Sequence, residues 1–381
     1  MKILNIISSL SYSSGGTSQC TSLILKELWE NNIDVDVLTY NHSENDSNVL
    51  ENSKIHFMPY VSGRYKYSPV FKYKLLELQN KANLVHIQGI WQYPSYVAVK
   101  NARKFKKPYV ISPHGMLYPE ALNSGSKLLK KVFYTAHLKK DLQQAACIHT
   151  TCIEEMNHIR ALGISAPIAV IPNPVDNLPY VNLTIALKNR FSIGYLGRIH
   201  RTKRIEVLID AWHMLGSKVD NDELIIIGDG DKGYLEELKC LVAEKKLKNV
   251  KFTGFLKGND KNQAIQSLTF LAVPSDFESF GMVIAEALMM GVPVIASKGT
   301  PWNQLETFNC GYWIKNDSEN FAETILQVKK LSYNEIKMMG ENGKKLINDN
   351  YTTHVVGQKI ISMYNWILNK SSKPEFIFDE N

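Results

Sequence analysis

Short apolar runs alternate with amphipathic stretches along almost the whole chain. In the first half, the runs predicted to be strands are KILNIIS, VDVLTY, KIHFMPY, LVHIQGI, PYVISPHG, CIHTTC and IAVIPNPV. Stretches with helical spacing of apolar residues, such as TSLILKELWENN and YPSYVAVKNARKF, lie between most of them. Strands that alternate with helices are typical of a parallel, doubly wound sheet. The sequence therefore predicts an α/β fold.

The same alternation begins again in the second half. The second strand series is FSIGYLGR, ELIIIGDG, VKFTGFL, TFLAVPS, PVIAS and CGYWIK. Pro172-Asn173-Pro174 separates the two series, and its prolines exclude helix there. A length of 381 residues also suits two domains rather than one. We expect two Rossmann-like domains, residues 1–174 and 175–354, that face each other across a cleft.

Further expectations concern the last segment of the chain and the place of the ligand. The amphipathic segment at about 355–370 completes the second domain or packs back on the first. Residues 371–381 are polar and contain a proline, which predicts disorder. Ligands of open α/β sheets bind outside the carboxyl ends of the strands, where the strand order reverses. We therefore expect the ligand at the carboxyl edges of both sheets.

Composition points to a protein of the cytoplasm. The five cysteines form no CxxC pair, and an odd, scattered set suits a reducing compartment. The opening residues MKILNIISSL have a short apolar run and no small-residue cleavage site, so they are predicted to be a buried strand. No apolar run approaches the length of about 18 residues that spans a bilayer.

Two glutamates bracket a predicted helix start in TFLAVPSDFESFGMVIAEALMMGVPVIAS. Glu278 follows a predicted strand, Ser279-Phe280-Gly281 opens the helix, and Glu286 follows in its second turn. A helix N-terminus with glycine in the first turn exposes N–H groups to an anion. Carboxylates suit hydroxyl pairs. The segment predicts a sugar-nucleotide site. The plainer alternative is that Glu278 is an N-cap and Glu286 a solvent-facing helix residue.

A second motif is basic. In GYLGRIHRTKRIEVLIDAW, Arg198 and Lys203 flank the turn between a predicted strand and a helix that begins near Arg204. Arginine binds phosphate bidentately and lysine acts as a point charge, so the pair suits a pyrophosphate. Basic turns are common on protein surfaces, and the motif gains meaning from the acidic segment that follows in the same predicted sheet.

Together these motifs resemble the signature of retaining glycosyltransferases of family 4, which have the GT-B fold. The similarity covers nearly the whole chain, including Gly15-Gly16, His114-Gly115-Met116, the Pro-Asn-Pro linker and Gly228-Asp229-Gly230. One departure is Arg204, because the family commonly has glycine after the lysine that corresponds to Lys203. We expect the turn to survive, since arginine is a good helix former, and the extra cation to contact phosphate or acceptor, or to face water.

The resemblance implies a role for each matching residue. Arg198 and Lys203 would hold the donor diphosphate, Glu286 the ribose hydroxyls, and Glu278 would lie near the transferred sugar. The residues with implied catalytic roles are Glu278, His114, Arg198 and Lys203. The residues with implied donor-binding roles are Gly16, Arg198, Lys203, Phe255, Phe280, Gly281 and Glu286. A turn glycine remains the alternative for Gly16, and a structural histidine for His114.

The resemblance also implies the reaction. A sugar moves from a nucleotide-diphosphate sugar to a glycan or lipid-linked acceptor, with retention, in surface polysaccharide biosynthesis. The sequence has no His/Cys spacing suited to zinc, and we expect neither metal nor cofactor. Two alternatives stay open: a sugar-nucleotide epimerase of the same fold, and a non-catalytic partner subunit.

Positive charge is concentrated in residues 100–140. Lysine and arginine greatly outnumber the single acid there, Glu120, in a chain of net charge +7. We expect residues 127–140 to meet an anionic membrane surface on its inner face. The apolar side chains expected to face the lipid are Leu128, Leu129, Val132, Phe133 and Leu138. The alternatives are solvated helices, or leucines packed on the sheet. Few aromatic residues are interleaved with these lysines, so nucleic-acid binding is not expected.

Overall fold

In a computed structural model, the chain divides into two compact units. The model describes residues 1–41, 47, 50–59, 61, 63–123, 125–176 and 190–380, the side chain of Ser13 excepted. Unit 1 consists of Met1–Pro174 together with Thr353–Asn381, and unit 2 consists of Val175–Thr352. The division between Pro174 and Val175 falls directly after the Pro-Asn-Pro sequence.

Unit 1 is built on one sheet of parallel strands with one antiparallel edge strand. Its strands are β1 (Lys2–Ile6), β2 (Asp34–Tyr40), β3 (Ile55–Met58), β4 (Leu84–Gln88), β5 (Tyr109–Ser112), β6 (Cys147–Thr150), β7 (Ile168–Val170) and β14 (Ile377–Phe378). Their spatial order is β14-β7-β6-β5-β4-β1-β2-β3. The central strands are buried on both faces, as continuous apolar runs such as Lys2–Ile6 predict. The order of the strands reverses between β1 and β4.

The helices of unit 1 connect these strands, and one comes from the C-terminus. They are α1 (Gly16–Glu30), α2 (Pro69–Lys81), α3 (Tyr93–Lys104), α4 (Pro119–Asn123), α5 (Lys127–Phe133), α6 (Lys139–Gln143), α7 (Ile153–Ala161) and α15 (Thr353–Ile367). Helix α15 packs closely on α1: His354 hydrogen-bonds Glu27 at 2.9 Å, and a Cβ on Gly357 would collide with that glutamate. The C-terminal helix thus packs on the first domain.

Residues 371–380 are ordered, and the prediction of disorder was wrong for them. Strand β14 pairs antiparallel with β7, with Ile377 opposite Ala169. Ile377 is buried in the core under the sheet. Burial of this side chain and pairing with an edge strand outweigh the polar composition of the segment.

Unit 2 has one entirely parallel sheet. Its strands are β8 (Ser192–Leu196), β9 (Glu223–Ile227), β10 (Val250–Gly254), β11 (Phe270–Val273), β12 (Val294–Ser297) and β13 (Gly311–Ile314). They are arranged in the order β10-β9-β8-β11-β12-β13. This is the Rossmann order, and it reverses between β8 and β11.

Helices cover the sheet of unit 2. They are α8 (Ile205–Leu215), α9 (Lys232–Glu244), α10 (Gly258–Ser267), α11 (Met282–Met289), α12 (Gln304–Thr307), α13 (Ser318–Val328) and α14 (Tyr333–Asn350). Their apolar sides form two clusters with the sheet, one around Trp212 and one around Trp302. The prediction of two Rossmann-like α/β domains is confirmed. None of the described helices is long and apolar enough to cross a bilayer.

Candidate functional site

The basic motif and Glu278 meet at the carboxyl edge of the unit 2 sheet. Strands β8 and β11 are neighbours, and the strand order reverses between them. Arg198 and Lys203 lie in the loop after β8, and Glu278 lies in the loop after β11. Residues 75 positions apart in the chain are thereby placed together.

The loop that carries Arg198 is held by close backbone packing. A Cβ on Gly228 would collide with the carbonyl oxygen of Gly197, and one on Gly230 with that of Ile199. The amide of Ile199 donates to the carbonyl of Asp229 at 3.0 Å. The sequence Gly228-Asp229-Gly230 therefore lets the loops after β8 and β9 touch, which fixes the start of the basic loop.

Lys203 and Glu278 form a partly buried ion pair. The Lys203 ammonium donates to Oε1 of Glu278, and the same oxygen accepts from the Ser275 hydroxyl at 2.8 Å. Oε2 of Glu278 has no hydrogen-bond partner among the described residues. A lysine ammonium has three donors, so Lys203 can hold Glu278 and an anion together.

The loop after β11 is fixed by the last residue of β12 and by the turn that follows it. The amide of Glu278 donates to the carbonyl of Gly299 at 2.9 Å, and the Ser297 hydroxyl donates to the carbonyl of Ser275. A Cβ on Gly299 would collide with the backbone of Ser275 and Asp276. Sequence reasoning missed these positioning residues, and the only local signal was the Lys298-Gly299-Thr300 turn after a strand.

Glu286 is buried, not solvent-facing, and it has a cationic partner. It lies on α11 with 9% of its surface exposed, and its Oε1 accepts from the Lys261 ammonium at 2.9 Å. Lys261 is on α10 and was also missed, because the pair joins residues on different helices. The N-cap of α11 is Gly281, not Glu278. The plainer alternative for both glutamates is thus unsupported.

Gly281 and Phe280 shape the start of α11. Gly281 has φ +84°, a left-handed conformation that suits glycine. The Phe280 ring is buried against Trp302 and Tyr351, with ring centroids 5.3 and 5.7 Å away. The Trp302 indole donates to the Phe280 carbonyl. The amides of residues 280 and 281 donate no hydrogen bond to other described residues, which leaves them available to an anion.

Arg198 and Phe255 are open to solvent at this edge. The guanidinium of Arg198 has no hydrogen-bond or ion-pair partner among the described residues, whereas its carbonyl accepts from the Tyr195 hydroxyl at 3.0 Å. Phe255 follows β10 and Gly254, and 71% of its surface is exposed. Its ring is therefore free to stack on a planar group.

Arg204 occupies a backbone conformation that explains the family's glycine. It has φ +50° and is the N-cap of α8, so the helix begins at Ile205 rather than at Arg204. Its guanidinium pairs with Glu206 at 2.6 Å and with Asp276 at 3.3 Å. Backbone hydrogen bonds close the turn, from the Lys203 amide to the His200 carbonyl at 2.8 Å and from the Arg204 amide to the Arg201 carbonyl at 3.1 Å, so helix propensity was the wrong reason.

His114 and Gly16, the two remaining predicted site residues, lie in unit 1. His114 has φ +52°, and its Nε2 hydrogen-bonds Oε1 of Gln88 at 2.7 Å. Burial lowers the pKa of His114 to about 3, so the imidazole is neutral at pH 7. The carboxylate of Glu155, which accepts from the Gly115 amide, holds this turn and was missed.

Gly16 is the first residue of α1 and follows a glycine with a positive φ, which glycine adopts without strain. The left-handed residue is Gly15, the N-cap, with φ +74°. No side chain caps this helix, and its first amides have no acceptor within the helix. Gly16 therefore presents a backbone donor.

A network of neutral side chains lies beneath the His114 turn. His86 hydrogen-bonds the Tyr364 hydroxyl at 2.6 Å and the Ser112 hydroxyl at 2.7 Å. Ser112 in turn contacts Nδ1 of His149 at 2.9 Å. Burial lowers the pKa of His149 to about 4 and that of His86 well below its usual range. The network is saturated within the protein and offers structure rather than chemistry.

The basic segment divides into an exposed and a packed part. Leu128, Leu129 and Val132 on α5 have 75, 70 and 55% of their surface exposed. Leu138 is buried in the core, and Phe133 packs beside Trp91 with ring centroids 6.0 Å apart. Only three of the five apolar side chains expected to face lipid are exposed. No cluster of metal-ligating side chains occurs in the part of the chain that the structure describes.

Comparison with protein families matches both halves of the chain. Residues 185–346 match the model of glycosyl transferases group 1, and residues 14–177 match the model of glycosyltransferase family 4. The two matches together cover most of the sequence and include every predicted site residue.

Three similar proteins illustrate the relationship. The capsular polysaccharide biosynthesis glycosyltransferase CapM of Staphylococcus aureus is 28% identical over 192 residues, or 49% of this chain and 48% of CapM. The match thus spans about half the length of that relative. Sucrose-phosphate synthase of Thermosynechococcus elongatus superposes with a TM-score of 0.78 at 18% identity, over 97% of this chain and all of that one. The HepE protein of Anabaena, in complex with UDP and glucose, superposes with a TM-score of 0.73 at 18% identity, over 96% and 100%.

Proposed function

We propose that this chain, which belongs to the family 4 glycosyltransferases with the GT-B fold, transfers a sugar from a nucleotide-diphosphate sugar to a glycan or lipid-linked acceptor in polysaccharide biosynthesis. One observation carries the proposal: Arg198 and the Lys203–Glu278 pair meet where the strand order of unit 2 reverses. The CapM similarity supports the pathway, and the HepE complex with UDP and glucose supports the donor class.

The cations of unit 2 suit the leaving diphosphate. Breaking the bond to the anomeric carbon builds negative charge on the diphosphate, which preorganised donors stabilise. The guanidinium of Arg198 has no partner among the described residues, and Glu278 accepts only one of the three N–H donors of Lys203. The amides of Phe280 and Gly281 add donors at the start of α11.

The carboxylates suit the hydroxyl groups of the donor. Glu278 and Glu286 each have one oxygen held by a lysine, Lys203 and Lys261 respectively. The second oxygen of each accepts no hydrogen bond from the described residues. These free oxygens would accept from the transferred sugar at Glu278 and from the ribose at Glu286, while Phe255 would stack on the base.

We further propose that transfer retains the anomeric configuration and needs no metal or other cofactor. The acceptor would attack from the face that the diphosphate leaves, with the departing phosphate accepting its proton. Arg198 and Lys203 would supply the positive charge. His114, being neutral, would contribute a hydrogen bond and not a charge.

The protein would act in the cytoplasm, at the inner face of a membrane. Helix α5 exposes Leu128, Leu129 and Val132 beside Lys127 and Lys131, an arrangement suited to anionic lipid. Flotation with vesicles of anionic and of neutral lipid tests this. We expect the protein to bind the anionic vesicles and not the neutral ones, and a triple serine substitution of the three apolar residues to abolish this binding. Equal flotation of the variant and the wild type would contradict the role of α5.

A panel of UDP-, GDP- and ADP-sugars tests the transferase proposal. The purified protein is incubated with each donor in EDTA, with and without membrane lipid extract, and nucleotide release is measured. Release from one donor that lipid extract stimulates is the expected result, and NMR of the product linkage tests retention. An epimerised donor without acceptor dependence would favour the epimerase, and no binding or release for any donor would favour a partner subunit.

A further inference from the structure

A separate pocket of about 370 Å³ lies at the carboxyl edge of the unit 1 sheet. Its walls come from Ile7–Ser9 after β1 and from Gln88–Gln92 at the end of β4, the two strands between which the strand order reverses. The N-termini of α1 and α3 contribute Thr17 and Ser95. The pocket is large enough for a sugar ring with a phosphate group.

Two cations line this pocket, and neither pairs with a carboxylate of the described residues. The Lys66 ammonium contacts the Ser8 carbonyl at 3.3 Å and the Tyr40 ring at 5.8 Å, and Arg64 is exposed. Neither forms an ion pair with another described residue, and no described lining residue is acidic. Burial lowers the pKa of Lys66, a cost that an anionic ligand would offset.

Two further polar side chains of the pocket, Gln88 and Ser95, offer hydrogen-bond donors. Gln88 is buried, its Oε1 is held by His114, and its amide nitrogen has no acceptor among the described residues. The Ser95 hydroxyl is also buried and has no partner in the described part of unit 1. No side chain caps α1, and the amides of its first two residues, Gly16 and Thr17, donate to no other described residue, so this helix end presents free N–H groups and a positive dipole end.

The segment that carries the cations is built into the fold. The amide of Tyr93 donates to the carbonyl of Tyr65 at 2.8 Å, and the Gln92 side chain donates to the carbonyl of Arg64 at 3.3 Å. The Tyr40 hydroxyl donates to the carbonyl of Lys66 at 2.7 Å. The backbone of residues 64–66 is thus anchored on α3 and β2. These contacts place both cations at the pocket and need no ligand to do so.

We infer that this pocket binds a phosphate group of the acceptor, through Lys66, Arg64 and the Gln88 amide. The identification of the ligand as the acceptor rests on the proposed transferase function, whereas the binding of an anion does not depend on it. A neutral glycan would leave two cations uncompensated, whereas a phosphate matches both cations and the N-terminus of α1. The acceptor is thereby a sugar phosphate or a lipid-linked phosphate.

Binding of inorganic pyrophosphate tests the pocket separately from catalysis. The background is the double variant Arg198→Gln/Lys203→Gln, which removes the cations of unit 2, and the method is titration calorimetry. Added Lys66→Gln or Arg64→Gln is expected to weaken pyrophosphate binding by about tenfold. Lys72→Gln, an exposed lysine of α2 outside the pocket, is the matched control. Equal affinity in all three would overturn the inference, whether or not the protein is a transferase.

A transfer assay then separates the two sources of phosphate. Dodecyl phosphate and glycerol 3-phosphate are added as competitors of the lipid extract. Inhibition by the first alone identifies a lipid-linked phosphate, and inhibition by the second identifies a soluble one. Inhibition by neither, with an unchanged acceptor KM in Arg64→Gln, would contradict phosphate recognition. Arg64 is exposed, so this variant is expected to fold even if Lys66→Gln does not.

Discussion

The two units have the same strand arrangement around the reversal point, but they differ in charge there. In unit 2, Lys203 and Lys261 each pair with a glutamate. In unit 1, Lys66 and Arg64 have no acidic partner among the described residues. Paired lysines and carboxylates suit a ligand that carries both phosphates and hydroxyls, and unpaired cations suit an anion. The fold fixes where a ligand binds, and a few side chains decide which ligand.

The largest effect is expected from neutralising the unit 2 cations. Arg198→Gln or Lys203→Gln should lower kcat by about 10²–10³, because each removes a donor to the leaving diphosphate. Initial rates of nucleotide release at saturating donor measure this. Lys248→Gln, an exposed lysine of the same unit, is the control. Rates of both variants within twofold of the control would contradict a role of Arg198 and Lys203 in catalysis.

Glycines at the two edges should differ in their contribution to stability. Gly228→Ala places a Cβ against the Gly197 carbonyl and should lower the free energy of unfolding by about 3 kcal/mol. Gly15→Ala meets open space, so only its left-handed backbone is strained, at about 1 kcal/mol. Urea unfolding of both variants measures the difference. A larger loss for Gly15→Ala would reverse the comparison.

Mild acid should weaken unit 1 before unit 2. The pKa of His149 is about 4 in the folded chain and near 6.5 when unfolded, so the unfolded state binds more protons below pH 6.5. Stability contributed by the neutral histidine is present above pH 6.5 and is lost as pH falls towards 4. At pH 5 the loss is on the order of 2 kcal/mol. Amide hydrogen exchange measured from pH 7.5 to pH 5 tests this. An equal increase of the exchange rates in both units would contradict it.

Strand–helix alternation was enough to predict the architecture, because strand order and handedness follow general rules. The partner of Glu286 was not predictable, since Lys261 lies on another helix and pairs only in the folded chain. Glu155 and Gly299 act on loops far away in sequence for the same reason. The exposure of Leu128 beside the burial of Leu138 depends on tertiary packing, which helical spacing alone does not specify.

Nucleotide binding tests the central claim, that unit 2 holds the donor through its paired charges, most directly. Whichever of UDP, GDP or ADP binds the wild-type protein most tightly is titrated calorimetrically into Glu286→Gln and Lys66→Gln. We expect Glu286→Gln to weaken binding by about tenfold or more, through loss of the proposed charge-assisted hydrogen bond to ribose, and Lys66→Gln to bind within twofold of wild type. Unchanged affinity in Glu286→Gln, with loss in Lys66→Gln, would contradict it.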